Sequence, residues 1–245
     1  MPEKRDISGN VPFKEAFVRR LFDSIPTRYD LFNRVASMGM DRAWRRRTID
    51  ALKLLPSQRV LDLASGTGDL ALEATLRILP LGQVTACDLS HPMLAYAARR
   101  FARHPVAGWH ARFAQGRAEA LPFPAETFDA ATVGFALRNV TDLGATFREL
   151  RRVLRPGGRL ALLEFGRPRN LLLRVGHWLW LTLAIPALGF LTTGRLWPFL
   201  YLRRSILAFM DPSQVEAQLR SAGFKEVRAD PLQGGIVYVY RGSRA

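Results

Sequence analysis

From Val60 to Asp69 the chain reads Val-Leu-Asp-Leu-Ala-Ser-Gly-Thr-Gly-Asp. An apolar run of strand character meets a turn with two glycines, and a helix-forming stretch follows at once. Glycine lets the chain turn left-handed and lets a ligand come close, so the backbone N–H groups at that helix start are open to a polar partner. Gly66-x-Gly68-x-x-Ala71 fits the dinucleotide-binding spacing. Asp88 stands 20 residues past Gly68, at the end of the next strand-like run, where a carboxylate can accept both hydroxyls of a ribose. After Gln83-Val-Thr-Ala-Cys87 it has little packing reason to be there. By itself the spacing specifies a nucleoside cofactor and no more.

The rest of the chain repeats this alternation. Strand-like runs at Arg59–Leu63, Gln83–Asp88, Ala111–Gln115, Phe128–Val133 and Arg159–Phe165 are separated by helix-period runs near Gly68–Leu79, Pro92–Arg103 and Leu143–Leu154. The last is closed by Arg155-Pro156-Gly157-Gly158, a chain stop and a tight turn. Such alternation predicts a parallel sheet covered on both faces, with the strand C-termini opening onto one crevice. A helix near Pro212–Ala222, stopped by Gly223, precedes strands at Phe224–Ala229 and Gly235–Arg241. Two strands that close must pair as a hairpin, so one edge turns antiparallel. The expected fold is α/β and Rossmann-like, with seven strands. Residues 1–245 read as a single domain: a helical cap over 11–55, a cofactor-binding core over 56–165, a helical insertion over 166–210, and the C-terminal helix and hairpin over 211–245. In the cap, Phe13, Phe17, Leu21 and Phe22 share one face, Pro26 interrupts, and Arg42–Leu55 resumes the pattern.

Charge narrows the partners. The 245 residues carry 36 Lys+Arg against 21 Asp+Glu, a net +15, which seeks phosphate, an anionic membrane face or an acidic ligand. Residues 56–164 hold 13 Arg against 10 acids, whereas six arginines (Arg167, Arg169, Arg174, Arg195, Arg203, Arg204) and no acid lie between Glu164 and Asp211. The excess therefore sits beside the apolar run Trp178–Leu191, 14 residues that include Pro186, short of the ~20 a spanning helix needs. A buried or interfacial helix pair facing lipid headgroups is expected, not a nucleic-acid surface. The lone Cys87, expected in the core, forms no internal disulfide, and Met1–Asn10 is polar. Both predict a reducing, cytoplasmic compartment, and the apolar-basic segment adds a position peripheral to the inner face of the membrane. His91, His104, His110 and His177 show no metal-ligand spacing, so no metal centre is expected.

Two cofactors suit the Gly66 turn, NAD and S-adenosylmethionine. Asp62-Leu-Ala-Ser-Gly-Thr-Gly-Asp69 with Asp88 and the reversed terminal hairpin resembles the seven-stranded S-adenosylmethionine-dependent methyltransferases. Tyr29-Asp30-Leu-Phe-Asn33, Ala118-Glu119-Ala-Leu-Pro122-Phe-Pro124, Phe135-Ala-Leu-Arg138-Asn139-Val-Thr-Asp142, and Arg152-Val-Leu-Arg-Pro-Gly-Gly158 up to Glu164-Phe165 are similar to the quinone-biosynthesis C-methyltransferases. The similarity runs from Ala16 to Arg241. Those enzymes methylate demethylmenaquinol or a ubiquinone precursor. The chain departs from their pattern at Phe32 (usually Met), Asp41 (His), Ser65 (Gly) and Arg117 (Asn), and at Gly134 and Gly166, where Ser is usual.

The resemblance implies S-adenosylmethionine as cofactor and a polyprenylated quinol as substrate, at an anionic membrane surface and without nucleic acid. Asp88 would hold the ribose, and Gly66 and Thr67 the amino-acid end. Arg117 and Ala118 would border the adenine, and Gly134 would lie near the methyl sulfonium. Asp62 either meets the cofactor ammonium or holds the turn by local hydrogen bonds. Arg138 would stabilise a phenolate or clamp its loop, and Asp30 and Tyr29 would relay a proton or cap helices. Glu164 would orient a neighbour or pair with an arginine. Methylation of nucleic acid fits less well, because Gly134-Phe-Ala-Leu-Arg138 is not the Asn/Asp-Pro-Pro-aromatic clamp used on base amino groups. A lipid-binding relative without catalysis is the remaining alternative. The ring, naphthoquinol or benzoquinol, and the oligomeric state are not specified.

Overall fold

The computed structural model describes residues 16–20 and 26–245, with side chains at 16–20 and 31–245. The strands are β1 (Arg59–Leu63), β2 (Gln83–Asp88), β3 (Ala111–Gln115), β4 (Phe128–Gly134), β5 (Leu154–Phe165), β6 (Phe224–Leu232) and β7 (Val237–Arg244). They form one sheet in the order β3-β2-β1-β4-β5-β7-β6. The first five are parallel, and β7 runs antiparallel to both of its neighbours. The chain winds outward from β1 to β3, then returns to lay β4 on the other side of β1. The crevice between the ends of β1 and β4 is therefore the topological switch point, where open α/β sheets bind ligands.

Helices α1 (Pro26–Ala36) and α2 (Asp41–Ala51) precede the sheet, and α3 (Asp69–Ile78), α4 (His91–Ala102) and α5 (Leu143–Val153) connect its strands. Two of them start where the sequence supplies a side-chain cap. Ser90 Oγ accepts from Met93 N ahead of α4, and Asp142 Oδ1 accepts from Ala145 N ahead of α5. One sheet face is covered by Ile49, Leu52, Leu70, Ala74, Ile78 and Phe101, from α2, the segment after it, α3 and α4. The other is covered by Phe147 and Leu150 of α5 with Val215 and Leu219 of the C-terminal helix (Pro212–Ser221). Because both faces are covered, Val60 to Leu63 and Leu160 to Leu163 are buried throughout, not alternately.

Beyond the end of β5 the chain builds a helical wall: α6 (Leu171–Leu179), a wide π turn (Trp180–Ala184), α7 (Ile185–Thr193) and α8 (Trp197–Ala208). The C-terminal helix Pro212–Ser221 is α9. Leu181, Ile185, Phe199 and Ile206 pack with Phe32 of α1 in a core of their own.

Three boundaries differ from expectation. Pro26 opens α1 instead of merely interrupting a helix, since a first-turn proline has no N–H to lose. The helix before Arg155 ends at Val153 as expected, but β5 begins at once: Leu154 pairs with Phe128, and Arg155 to Gly158 bulge before Arg159 resumes pairing with Ala130. Finally, Leu171–Thr193 is one 23-residue helical stretch, long and apolar enough by length and composition to cross a membrane. Pro186 has no N–H for the Thr182 carbonyl, and the ladder widens to the π pattern in the turn before it instead of breaking. Residues Phe13, Leu21 and Phe22, and the side chains of Tyr29 and Asp30 on α1, lie outside the described residues. Phe17 packs edge-on against Trp197 and Tyr201 of α8, at 5.5 and 5.0 Å.

Candidate active site

All six residues expected to hold the cofactor, Gly66, Thr67, Asp88, Arg117, Ala118 and Gly134, line a single pocket over the ends of β1, β2 and β4. Gly66 and Gly68 have φ of +54° and +85°, the left-handed backbone that glycine adopts without steric cost. Asp88 also holds the turn together, because Oδ2 accepts from Gly66 N and Oδ1 from Ser90 N, both at 2.8 Å. A carboxylate has about four lone-pair positions, so it can hold the turn and still accept from ribose hydroxyls. Gly134 ends β4 against Leu70, whose Cδ1 would lie 2.5 Å from an added Cβ. The serine usual here needs Leu70 to move.

Asp62 holds the turn by a local hydrogen bond and keeps one oxygen in reserve. Its Oδ2 accepts from Ala71 N at 2.8 Å, pinning the first turn of α3, while Oδ1 is buried with no partner among the described residues. Burial above all pushes its pKa well above the ordinary aspartate value; the Ala71 hydrogen bond opposes this and the charge of Asp88 adds to it. Asp69, nearby, goes the other way. Burial raises its pKa, but Arg45 and Arg100 outweigh this and hold the carboxyl below its usual range. An unpartnered carboxylate oxygen at the bottom of a pocket suits a cationic amino-acid group, so the residues present fit S-adenosylmethionine.

A second cavity adjoins the first, and Arg45, Phe135 and Asn139 line both. Its walls are apolar: Phe32 of α1, Trp44 of α2, Phe165 at the end of β5, and Leu173, Trp180 and Ile185 of the helical wall. Phe135, directly after β4, has φ +55°, a left-handed conformation that a bulky residue keeps only when its surroundings enforce it. Its N donates to Leu163 O at 2.7 Å, and its ring packs on Phe165 with centroids 4.5 Å apart.

Arg138 lines this second cavity. Its Nη1 donates to Glu164 Oε1 at 2.6 Å and to Phe135 O at 2.7 Å, and its guanidinium lies 5.3 Å from the Phe165 ring. The Arg138 and Glu164 side chains are 5% and 0% exposed. The arginine is thus both a clamp on its loop and a cavity-lining cation, with Nε buried and unpartnered among the described residues. Glu164 pairs with it and also accepts from Phe165 N at 2.8 Å. Tyr29 and Asp30 lie on α1, whose Phe32 and Asn33 line the same cavity. Cys87 is buried, and desolvation together with Asp88 and Asp62 pushes its thiol up to about 12.

Two residues here escape sequence reasoning. Asn139 stands out in the sequence only as part of a motif, yet it borders both cavities. Tyr201 of α8, whose hydroxyl donates to Asn139 Oδ1 at 3.1 Å, carries no local signal because its partner is 62 residues away.

A seven-stranded sheet with a reversed terminal hairpin, and a ribose-competent carboxylate beside an unpartnered one at its switch point, define the class of S-adenosylmethionine-dependent methyltransferases. This protein is one of them, with S-adenosylmethionine as its cofactor. More narrowly, residues 11–244 match the ubiE/COQ5 methyltransferase family, and the chain belongs to that family. It is 37% identical over 232 residues to the ubiquinone/menaquinone biosynthesis C-methyltransferase UbiE of Hahella chejuensis, covering 95% of this chain and 93% of the relative. It is 40% identical over 225 residues to the protein of the same name from Pseudomonas putida strain F1, covering 92% and 88%. Among solved structures, a methyltransferase of Thermotoga maritima described as a possible histamine N-methyltransferase has a TM-score of 0.63 at 20% identity, covering 93% of this chain and 99% of that one. Phosphoethanolamine N-methyltransferase 2 of Haemonchus contortus, solved with S-adenosyl-L-methionine, has a TM-score of 0.59 at 16% identity, covering 81% and 52%.

Proposed function

We propose that the protein methylates a ring carbon of a polyprenylated quinol, either demethylmenaquinol or the equivalent ubiquinone precursor, at the inner face of a membrane. The observation that carries this reading is the apolar cavity that meets the cofactor pocket at Phe135 and Asn139. A nucleotide base would meet few polar groups there, whereas a quinol ring and the start of its isoprenoid tail match the aromatic and aliphatic walls. The names of the relatives point to the same substrates.

Bound S-adenosylmethionine supplies an electrophilic methyl group on a cationic sulfur. In this reading Gly66 and Thr67 hold its amino-acid end with Asp62, Asp88 the ribose, and Arg117 and Ala118 border the adenine. Gly134 leaves room where methyl and ring meet. Such a displacement asks chiefly for alignment, and for a ring made electron-rich by loss of a phenolic proton. Arg138 stands at the cavity wall to stabilise the resulting phenolate. Because Glu164 already neutralises this arginine, its contribution is a directed hydrogen bond more than a net charge. Tyr29 and Asp30 on α1 are assigned to positioning the ring hydroxyl that loses its proton.

The bilayer side of the proposal rests on α6. Leu171, Leu172 and Leu173 are 64%, 81% and 45% exposed, Trp178 is 46% exposed, and none of the helix's nine residues is buried. So much apolar surface on one helix, rimmed by Arg167, Arg169 and Arg174, suits the headgroup region of an anionic membrane. The far half, α7, buries Ile185, Pro186 and Gly189 against the protein, which favours a helix lying in the interface over one crossing it.

The test is incubation with methyl-labelled S-adenosylmethionine and detergent-dispersed demethylmenaquinol, with RNA in parallel. Label on the quinol ring is expected, and label in RNA alone would refute the reading. Flotation with anionic vesicles at low salt checks the membrane part.

A further inference from the structure

His177 sits where two cavities meet. From α6 it lines the apolar substrate cavity, one turn from Leu173 and Trp180, and it also lines an outer pocket with Arg167, Arg174 and Trp178. His177 and Ile206 are thus shared by an inner apolar chamber and a more open outer one, and His177 is the polar member of the pair. It makes no hydrogen bond among the described residues. The other polar groups of the chamber are largely engaged: Asp41 pairs with Arg45, Arg138 with Glu164, and Tyr201 with Asn139.

We propose, on the basis of the quinol reading above, that His177 accepts the proton of one ring hydroxyl during methyl transfer and passes it to water in the outer pocket. The hydroxyl O–H bond breaks as an N–H bond forms on the imidazole. The electron pair left on oxygen feeds the ring carbon, which bonds to the methyl carbon as the methyl–sulfur bond breaks and its pair returns to sulfur. The hydrogen displaced from that carbon leaves as a proton, restores aromaticity and reprotonates the ring oxygen. One net proton per turnover then leaves through His177.

The surroundings favour the neutral imidazole this needs. Burial lowers the pKa of His177 below its ordinary value. The charged and titratable groups that line the same two cavities are Asp41, Arg45, Arg138 and Tyr201 on the inner side and Arg167 and Arg174 on the outer. Asp41 is paired with Arg45 and Arg138 with Glu164, so burial is what disfavours the imidazolium, which sheds its proton to solvent.

The experiment compares wild type, His177→Gln and His177→Ala with a short-chain 1,4-naphthoquinol kept reduced under anaerobic conditions. It reads kcat and KM between pH 5 and 8, quinol binding by tryptophan fluorescence, cofactor binding by calorimetry and Tm. The wild-type kcat should fall as pH drops through the lowered pKa of His177. His177→Gln should lose about 100-fold in kcat and flatten that acid limb, with cofactor affinity and Tm unchanged. Imidazole, entering by the outer pocket, should partly restore His177→Ala. A His177→Gln enzyme with wild-type kcat and pH profile would overturn the proposal while leaving the quinol reading intact, as would one that loses only quinol affinity. A wild-type protein that neither binds nor methylates the quinol would overturn both.

Discussion

The cofactor crevice and the helical wall beside it meet at Phe135 and Asn139 but are built differently. In the crevice, Asp62, Asp69 and Asp88 converge on turns whose backbone is fixed by glycine and by strand ends, and every one of these carboxylates holds at least one protein donor. In the wall, from Gly166 to Met210, there is no acid; arginines rim helices whose outer residues are leucine and tryptophan. The crevice is organised before any ligand arrives, since its polar groups are already aimed. The wall carries a surface that water alone does not favour, so its partner is expected to complete it. On the proposed reading, positioning chemistry lies on the sheet and substrate supply on the helices.

Four experiments pull the two regions apart. Glu164→Ala should have the largest effect, because it strands the buried guanidinium of Arg138 at the seam. We expect about 3–5 kcal/mol lower stability in urea denaturation, most of it recovered in the Arg138→Met/Glu164→Leu double variant. Asp88→Ala should damage only the crevice. It removes the acceptor for Gly66 N and Ser90 N together with the proposed ribose contact, and calorimetry should find cofactor affinity about 100-fold weaker, at about 1.5–3 kcal/mol per charge-assisted hydrogen bond. Arg169→Gln/Arg174→Gln should damage only the wall, weakening binding to anionic vesicles by about 1 kcal/mol per arginine while cofactor affinity stays the same.

The smallest effect is a proton count. Asp62 has a raised pKa, so between the ordinary aspartate value and that raised value the free protein keeps it partly protonated. A bound ammonium group lowers that pKa, so cofactor binding should release a fraction of a proton. Calorimetry in buffers of different ionisation heat measures this, and Asp62→Asn should abolish it.

The same contrast explains what is legible in the sequence. Strand ends, the Gly66 turn and Asp88 can be read there because they follow from local backbone needs at fixed spacing. The hairpin and the strand count follow from alternation alone. The wall is legible only in composition: its charge and apolarity are plain, but the 23-residue length of Leu171–Thr193 is hidden by Pro186, which the π turn absorbs. Arg155–Gly158 looks like a terminator because glycine and proline punctuate turns and bulges alike. Tyr201 on Asn139, Glu164 on Arg138 and His177 between two cavities depend on contacts far apart in the chain, which spacing does not encode.

Whether the apolar cavity behind α6 receives the quinol ring beside the cofactor is decided by filling it. Gly176 lines the cavity, and a Cβ added there meets nothing within 4 Å. A Gly176→Trp side chain starts from an unobstructed Cβ at the cavity wall, and removing a mid-helix glycine also favours α6. Cofactor affinity and Tm should be unchanged, with kcat/KM for the quinol reduced at least about 10-fold. Wild-type quinol kcat/KM in Gly176→Trp would contradict quinol binding in this cavity.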